Sequence, residues 1–240
     1  MSMQTRRDEL AANVAEVRAR IDAAVRAASR PAGSVTLVAV TKTYPVDDIR
    51  VLRELGVTHV GESRVQEAGA KFDQLGATGH TLRWHLIGQL QRNKVNAAAK
   101  WADVIESVDR LELVAAIGRA AASRPHGLDV LLQINVADDP QPGRGGATPA
   151  EVEHLAAAVV AERALTLAGV MAVAPLEVEP ERAFARLAQV HDSLLANYPW
   201  ATTRSAGMSG DLEAAVAAGA THVRIGTAIL GTRPAVGYGA

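Results

Sequence analysis

The feature that most constrains this chain is a repeated change of period. Eight short strand candidates lie at 35–40, 58–61, 83–87, 103–106, 129–135, 165–171, 202–205 and 222–225. Between them stand segments with helical spacing at 47–55, 63–75, 92–101, 110–123, 149–160, 181–197 and 211–218. The short runs are rich in β-branched residues and bounded by turn formers, as strands are. A helix in every gap forces neighbouring strands to run parallel, because no tight hairpin can join them. The expected class is therefore α/β. Eight units in 240 residues match a closed (β/α)8 TIM barrel, for which roughly 250 residues is typical. An open doubly wound sheet is the rival arrangement. No linker divides the chain, so residues 1–240 are read as a single domain. The longest turn-rich stretch, 137–149, follows the fifth strand and belongs on the face that carries βα loops.

Upstream of the alternation, Leu10, Val14, Val17, Ile21 and Val25 fall on one helical face, with Arg and Asp on the others. Pro31 and Gly33 end that pattern. This additional N-terminal helix is expected on the outside of the barrel or across one of its ends. The first 30 residues are charged throughout and lack a central apolar segment, unlike a secretion signal. No apolar stretch is long enough to span a bilayer. The net charge of −1 leaves no basic excess for nucleic acid or an anionic membrane surface. The absence of cysteine excludes disulfides and thiol catalysis, and it fits a reducing compartment. A cytoplasmic location and a monomer are the expectations.

In a (β/α)8 barrel, chemistry sits at the C-terminal ends of the strands. Lys42, Glu62, His85, Asn135, Met171, Ser205 and Gly226 all fall at or just past such ends. Lys42 has two readings. It is a surface lysine whose stem lies along apolar neighbours, or it is a Schiff-base amine whose neutral, nucleophilic form desolvation favours. Arg224-Ile225-Gly226-Thr227 reads either as an ordinary strand end or as a phosphate cup, in which Gly226 admits the ligand to the backbone and Thr227 adds a hydroxyl. The loop 205–211 after the seventh strand is a second phosphate-competent segment, although Ser209 and Asp211 read first as helix caps. Arg224 shares the inward phase of Gly226, so it faces a ring in the mouth or a buried carboxylate. His85 is placed to contact a bound ring. The seven histidines show no metal-ligand spacing, and no Ser-His-Asp arrangement can be read.

Several ordered blocks are similar to the pyridoxal phosphate homeostasis protein family. They are Val40-Thr41-Lys42, Gly61-Glu62 with Val65-Gln66-Glu67, Trp84-His85 through Asn93-Lys94, Gly169 with Met171, Gly207-Met208-Ser209 with Asp211, and Val223 through Thr227. The resemblance implies a pyridoxal 5′-phosphate-binding barrel similar to the N-terminal domain of alanine racemase. It implies an internal aldimine on Lys42, phosphate binding by Ser205, Gly226 and Thr227, and Arg224 at the pyridine nitrogen. It implies a carrier or regulator of the cofactor without an established reaction, with pyridoxal-phosphate-dependent apoenzymes as partners. An amino acid racemase is the alternative. Ser63 stands where the family usually has Asn, and Arg144 where it usually has Lys. Arginine cannot form an imine, so covalent handling at that second position is lost.

Overall fold

The computed structural model describes residues 3–137 and 145–231. Arg144 and most of the turn-rich stretch after the fifth strand lie outside the described residues. Eight parallel strands pair in sequence order: β1 Thr36–Val40, β2 His59–Glu62, β3 Arg83–Leu86, β4 Val104–Val108, β5 Leu128–Gln133, β6 Leu165–Met171, β7 Thr203–Ser205 and β8 His222–Ile225. Pairing of β8 with β1 closes the barrel, with Val38 opposite Arg224 and Ala39 opposite Ile225. The expected (β/α)8 TIM barrel is the observed fold.

The helices of the outer layer are α2 Val46–Glu54, α3 Val65–Leu75, α4 Val95–Ala98, α5 Leu111–Ala121, α6 Val152–Ala161, α7 Pro180–Asn197, α8 Leu212–Ala217 and α9 Thr227–Leu230. Each turns an apolar stripe onto the strands. In α5 the buried set is Leu113, Val114, Ala116, Ile117, Gly118 and Ala121, the spacing of one helical face. Two segments are shorter than their pattern suggests. The 92–101 region is a 3-10 turn followed by the four residues of α4, and α8 spans six residues. The one-turn α9 has no periodic signal because it is too short to have a period.

The N-terminal helix α1, Met3–Ala27, lies outside the barrel wall rather than across an end. Leu10, Val14, Val17, Ile21 and Val25 are buried against Ala39 of β1, Val223 and Ile225 of β8, and apolar residues of α8 and α9. Burying each of these side chains contributes about 1.5–3 kcal/mol. Polar contacts fix the seating. Asn13 donates to the Ile229 carbonyl at 2.8 Å, and Arg30 donates to the carbonyls of Val216 and Ala220 at 2.9 and 2.7 Å.

Register decides how deep each inward residue sits. Ser205, the last residue of β7, pairs with His222, the first of β8. His85 pairs with Val104, the first residue of β4. The ends of β3 and β7 therefore lie deeper in the barrel than Gly226 just beyond β8. On β6, Gly169 adopts φ +148° where the pairing with β5 shifts register. A Cβ there would run into the backbone of Thr203 on β7, so the strand passes only because the residue is glycine.

Candidate functional site

The barrel interior is polar where apolar layers are the norm. Glu106 of β4 is fully buried, and its two oxygens face different partners. One lies 2.6 Å from His85 Nδ1, and the other accepts from Ser205 Oγ at 2.6 Å. Ser205 Oγ in turn accepts from Arg224 Nη1 at 2.8 Å, while Arg224 Nη2 donates to the Ala172 carbonyl at 2.8 Å. The guanidinium stands 3.7 Å from Glu106. Burial pushes the Glu106 carboxyl up, but His85, Arg224 and Ser205 together outweigh it and hold it at about 2. Burial lowers Arg224, opposed by Glu106 and Asp211, yet an arginine remains cationic. On the far side, His85 Nε2 lies 2.9 Å from His59 Nδ1, and the ring of His222 is 6.1 Å from that of His85. Burial and neighbouring imidazoles depress His59 to about 3 and His222 to about 4.

Above this layer, at the C-terminal mouth, lies a cavity of about 420 Å³ lined by Val40, Lys42, Tyr44, Ser63, Ile87, Gly88, Val173, Met208, Ser209, Gly210, Arg224, Gly226 and Thr227. The volume is in the range that holds a small cofactor. Its lining contains an amine, a guanidinium and several hydroxyls and, among the described residues, no carboxylate. That donor set suits an anion carrying an electrophile. Gly210 faces open space, and a Cβ on Gly226 would make only ordinary contact with Val40. Gly88 is held tighter, because a Cβ there would collide with the Ser63 backbone. Ser209 Oγ accepts from the Ala228 N–H at 3.2 Å, joining the loop after β7 to the first turn of α9.

Lys42 reaches this pocket from a turn just past β1 rather than from the strand itself. Thr43 beside it has φ +71°, unusual for a β-branched residue. The turn rests on a buried ion cluster in which Lys71 Nζ lies 2.8 Å from Glu62 Oε1 and 2.7 Å from Glu67 Oε1.

Of the residues singled out in the sequence, Lys42, Arg224, Gly226 and Thr227 meet around one cavity. His85 and Ser205 do not line it. Both point inward but one layer too deep, for the register reason given above, and both are engaged by Glu106. Asn135 and Met171 are likewise absent from the lining. Ser209 is not the cap of α8. Asp211 occupies that position, accepting from the Met208 N–H at 2.5 Å. Glu106 and Lys71 carried no motif, although a carboxylate in the inward phase of an apolar strand is itself a signal. Among the described residues, no group of three or more His, Asp or Glu is arranged to hold a metal ion.

Residues 7–234 match the family model described as alanine racemase, N-terminal domain. The chain is 40% identical over 243 residues to the pyridoxal phosphate homeostasis protein of Mycobacterium tuberculosis, covering 95% of this chain and 94% of that one. It is 40% identical over 232 residues to the protein of that name from Escherichia coli, covering 94% and 97%. Its fold matches PipY of Synechococcus elongatus with PLP bound at a TM-score of 0.78 and 33% identity, covering 92% of this chain and 100% of that one.

Proposed function

We propose that this chain, which belongs to the pyridoxal phosphate homeostasis protein family, binds pyridoxal 5′-phosphate at the barrel mouth and holds it reversibly on Lys42. The observation that carries this reading is the convergence of Lys42, Arg224, Gly226 and Thr227 on one cavity of about 420 Å³. Bound there, the cofactor would supply an aldehyde able to react reversibly with a primary amine. Lys42 Nζ provides the amine. Gly226 and Thr227, with Ser209 and Gly210 across from them, supply hydroxyls and close backbone approach for the phosphate. Arg224, which lines the same cavity, would act as a donor to the ring nitrogen. Ser205 and Glu106 hold the guanidinium from below, and His85 acts through Glu106 rather than at the ring.

The same arrangement favours a carrier over a catalyst. A guanidinium does not give up its proton, so the ring nitrogen it faces must stay an acceptor, and an unprotonated ring is a poor electron sink. A two-base racemase also needs an acid/base group on each face of the bound amino acid. Tyr44 lines the pocket, but its hydroxyl donates to the Gly231 carbonyl at 2.6 Å. The role that fits is a cytoplasmic monomer that buffers a reactive aldehyde and releases it, by exchange with competing amines, to apoenzymes that require it. No helix among the described residues is long and apolar enough to cross a membrane.

A visible-absorbance titration with pyridoxal 5′-phosphate tests this reading. The wild type is expected to develop the absorbance of a protonated imine, reversed by hydroxylamine, and Lys42→Ala to develop none. A wild type that binds nothing overturns the reading. Amino acid racemisation faster than with free cofactor, and lost in Tyr44→Phe, overturns the carrier role.

A further inference from the structure

We propose that Glu67 and Lys71, acting with Glu62, are positioning residues that aim Lys42 into the pocket; this rests on the reading of Lys42 as the covalent attachment point. The cluster grips the chain on both sides of that residue. Lys71 Nζ donates to the Thr41 carbonyl at 2.8 Å, which belongs to the peptide unit before Lys42. Glu67 Oε1 accepts from the Thr43 N–H at 2.5 Å, which belongs to the peptide unit after it. Thr41 Oγ1 donates to Glu62 Oε1 at 2.7 Å, completing the hold from β2. With both flanking peptide planes fixed, the backbone angles of Lys42 are fixed, and so is the direction of its Cα–Cβ bond.

The cluster is built for more than neutralising a buried amine. Glu67 and Lys71 stand four residues apart on α3, the spacing that places both on one face. That face points at the turn between β1 and α2. Lys71 is buried and Glu62 completely so, which shields their contact from competing water, while Glu67 is partly buried. Burial raises the Glu62 carboxyl, opposed by Lys71, while the bonds from Lys71 and Thr43 overcome burial at Glu67 and lower it. The Thr43 conformation, at φ +71°, is one a β-branched residue adopts only when its surroundings impose it. The bond from Thr43 N–H to Glu67 imposes it here. The turn is strained and gripped where the amine must be aimed, as expected of a preorganised attachment point.

The test measures the rate at which pyridoxal 5′-phosphate is captured on Lys42. Timed samples are reduced with borohydride and the adduct is quantified on the Lys42 peptide by mass spectrometry. Glu67→Ala is expected to slow capture about tenfold, the size that follows when a strained turn is no longer enforced. Glu67→Gln, which keeps an acceptor oxygen for Thr43, is expected to stay within about threefold of wild type. Adding Thr43→Gly to Glu67→Ala is expected to recover most of the loss, because glycine adopts positive φ without strain. A merely structural role predicts slower capture in proportion to lost thermal stability and no rescue by glycine. Capture by Glu67→Ala at the wild-type rate overturns the inference, as does a deficit that Thr43→Gly leaves unchanged. A wild type that forms no adduct on Lys42 overturns the underlying reading instead, so the two failures are distinguishable. If Glu67→Ala does not fold, Glu67→Met, which keeps the bulk but removes the acceptor oxygen, carries the comparison with and without Thr43→Gly, and the absence of a deficit, or one that glycine fails to relieve, counts against the inference.

Discussion

Replacing Glu106 with glutamine removes one charge from the centre of the barrel and leaves the shape almost unchanged. The carboxylate accepts from Ser205 at 2.6 Å, faces His85 Nδ1 at 2.6 Å and stands 3.7 Å from Arg224. An amide presents an NH2 group on one side, so one of the two neighbouring donors loses its acceptor. Arg224 also loses its buried counter-charge. Breaking a buried pair by removing one partner costs about 3–5 kcal/mol. The carboxyl's own titration gives a similar figure. Holding it at about 2 instead of the ordinary 4.5 corresponds to about 3 kcal/mol of stability at neutral pH. Because the folded-state value is depressed, that contribution is complete above 4.5 and disappears as pH falls towards 2. Urea unfolding of wild type and Glu106→Gln at a series of pH values measures it. The expected gap is about 3 kcal/mol at pH 7, narrowing steadily below pH 4.5. A gap under about 1 kcal/mol at pH 7, or one that does not narrow in acid, refutes the claim that Glu106 is an ionised hub.

Further consequences follow from other parts of the molecule. His59 and His222 are held at about 3 and about 4, below the ordinary 6.5, so their contribution is present above 6.5 and lost as pH falls towards those values. His222→Gln should therefore flatten the fall in stability between pH 6.5 and pH 4, and an unchanged slope in acid titrations would count against this. Gly169→Ala forces a Cβ into the Thr203 backbone at a positive φ, and a loss of about 2–4 kcal/mol in denaturant unfolding is expected. Thr227→Val keeps the bulk but removes a hydroxyl from the pocket wall. It should weaken pyridoxal 5′-phosphate binding about tenfold with little effect on pyridoxal, which has no phosphate; equal weakening of both would argue against a phosphate role.

The barrel was legible because its signal is periodic and repeated. The runs at 165–171 and 222–225 coincide with β6 and β8, and the face from Leu10 to Val25 is the buried face of α1. Short elements escaped, since the four residues of α9 cannot display a helical period. At the site, alternation identified which side chains point inward but not how deep they lie. Depth depends on register between strands, and register is set by pairings distant in sequence. Ser205 shows the difference. It faces the axis as its phase implies, yet β7 ends level with the start of β8, so the hydroxyl meets Glu106 and Arg224 instead of the pocket. Glu106 and Lys71 were hidden for a related reason. Their partners lie on other strands and helices, and a single charged residue in an apolar segment does not announce which one it will meet.

The central claim is that Lys42, and no other lysine, is the covalent attachment point for pyridoxal 5′-phosphate. Lys71 supplies an internal control, since it lies near Lys42 but its amine is buried and committed to Glu62, Glu67 and the Thr41 carbonyl. The purified protein is mixed with an equimolar amount of pyridoxal 5′-phosphate, reduced with borohydride, digested and mapped by mass spectrometry. The account predicts a pyridoxyl phosphate adduct on Lys42 at near-stoichiometric yield and none on Lys71. An adduct concentrated on another lysine, or spread over surface lysines at yields no higher than in Lys42→Ala, contradicts it.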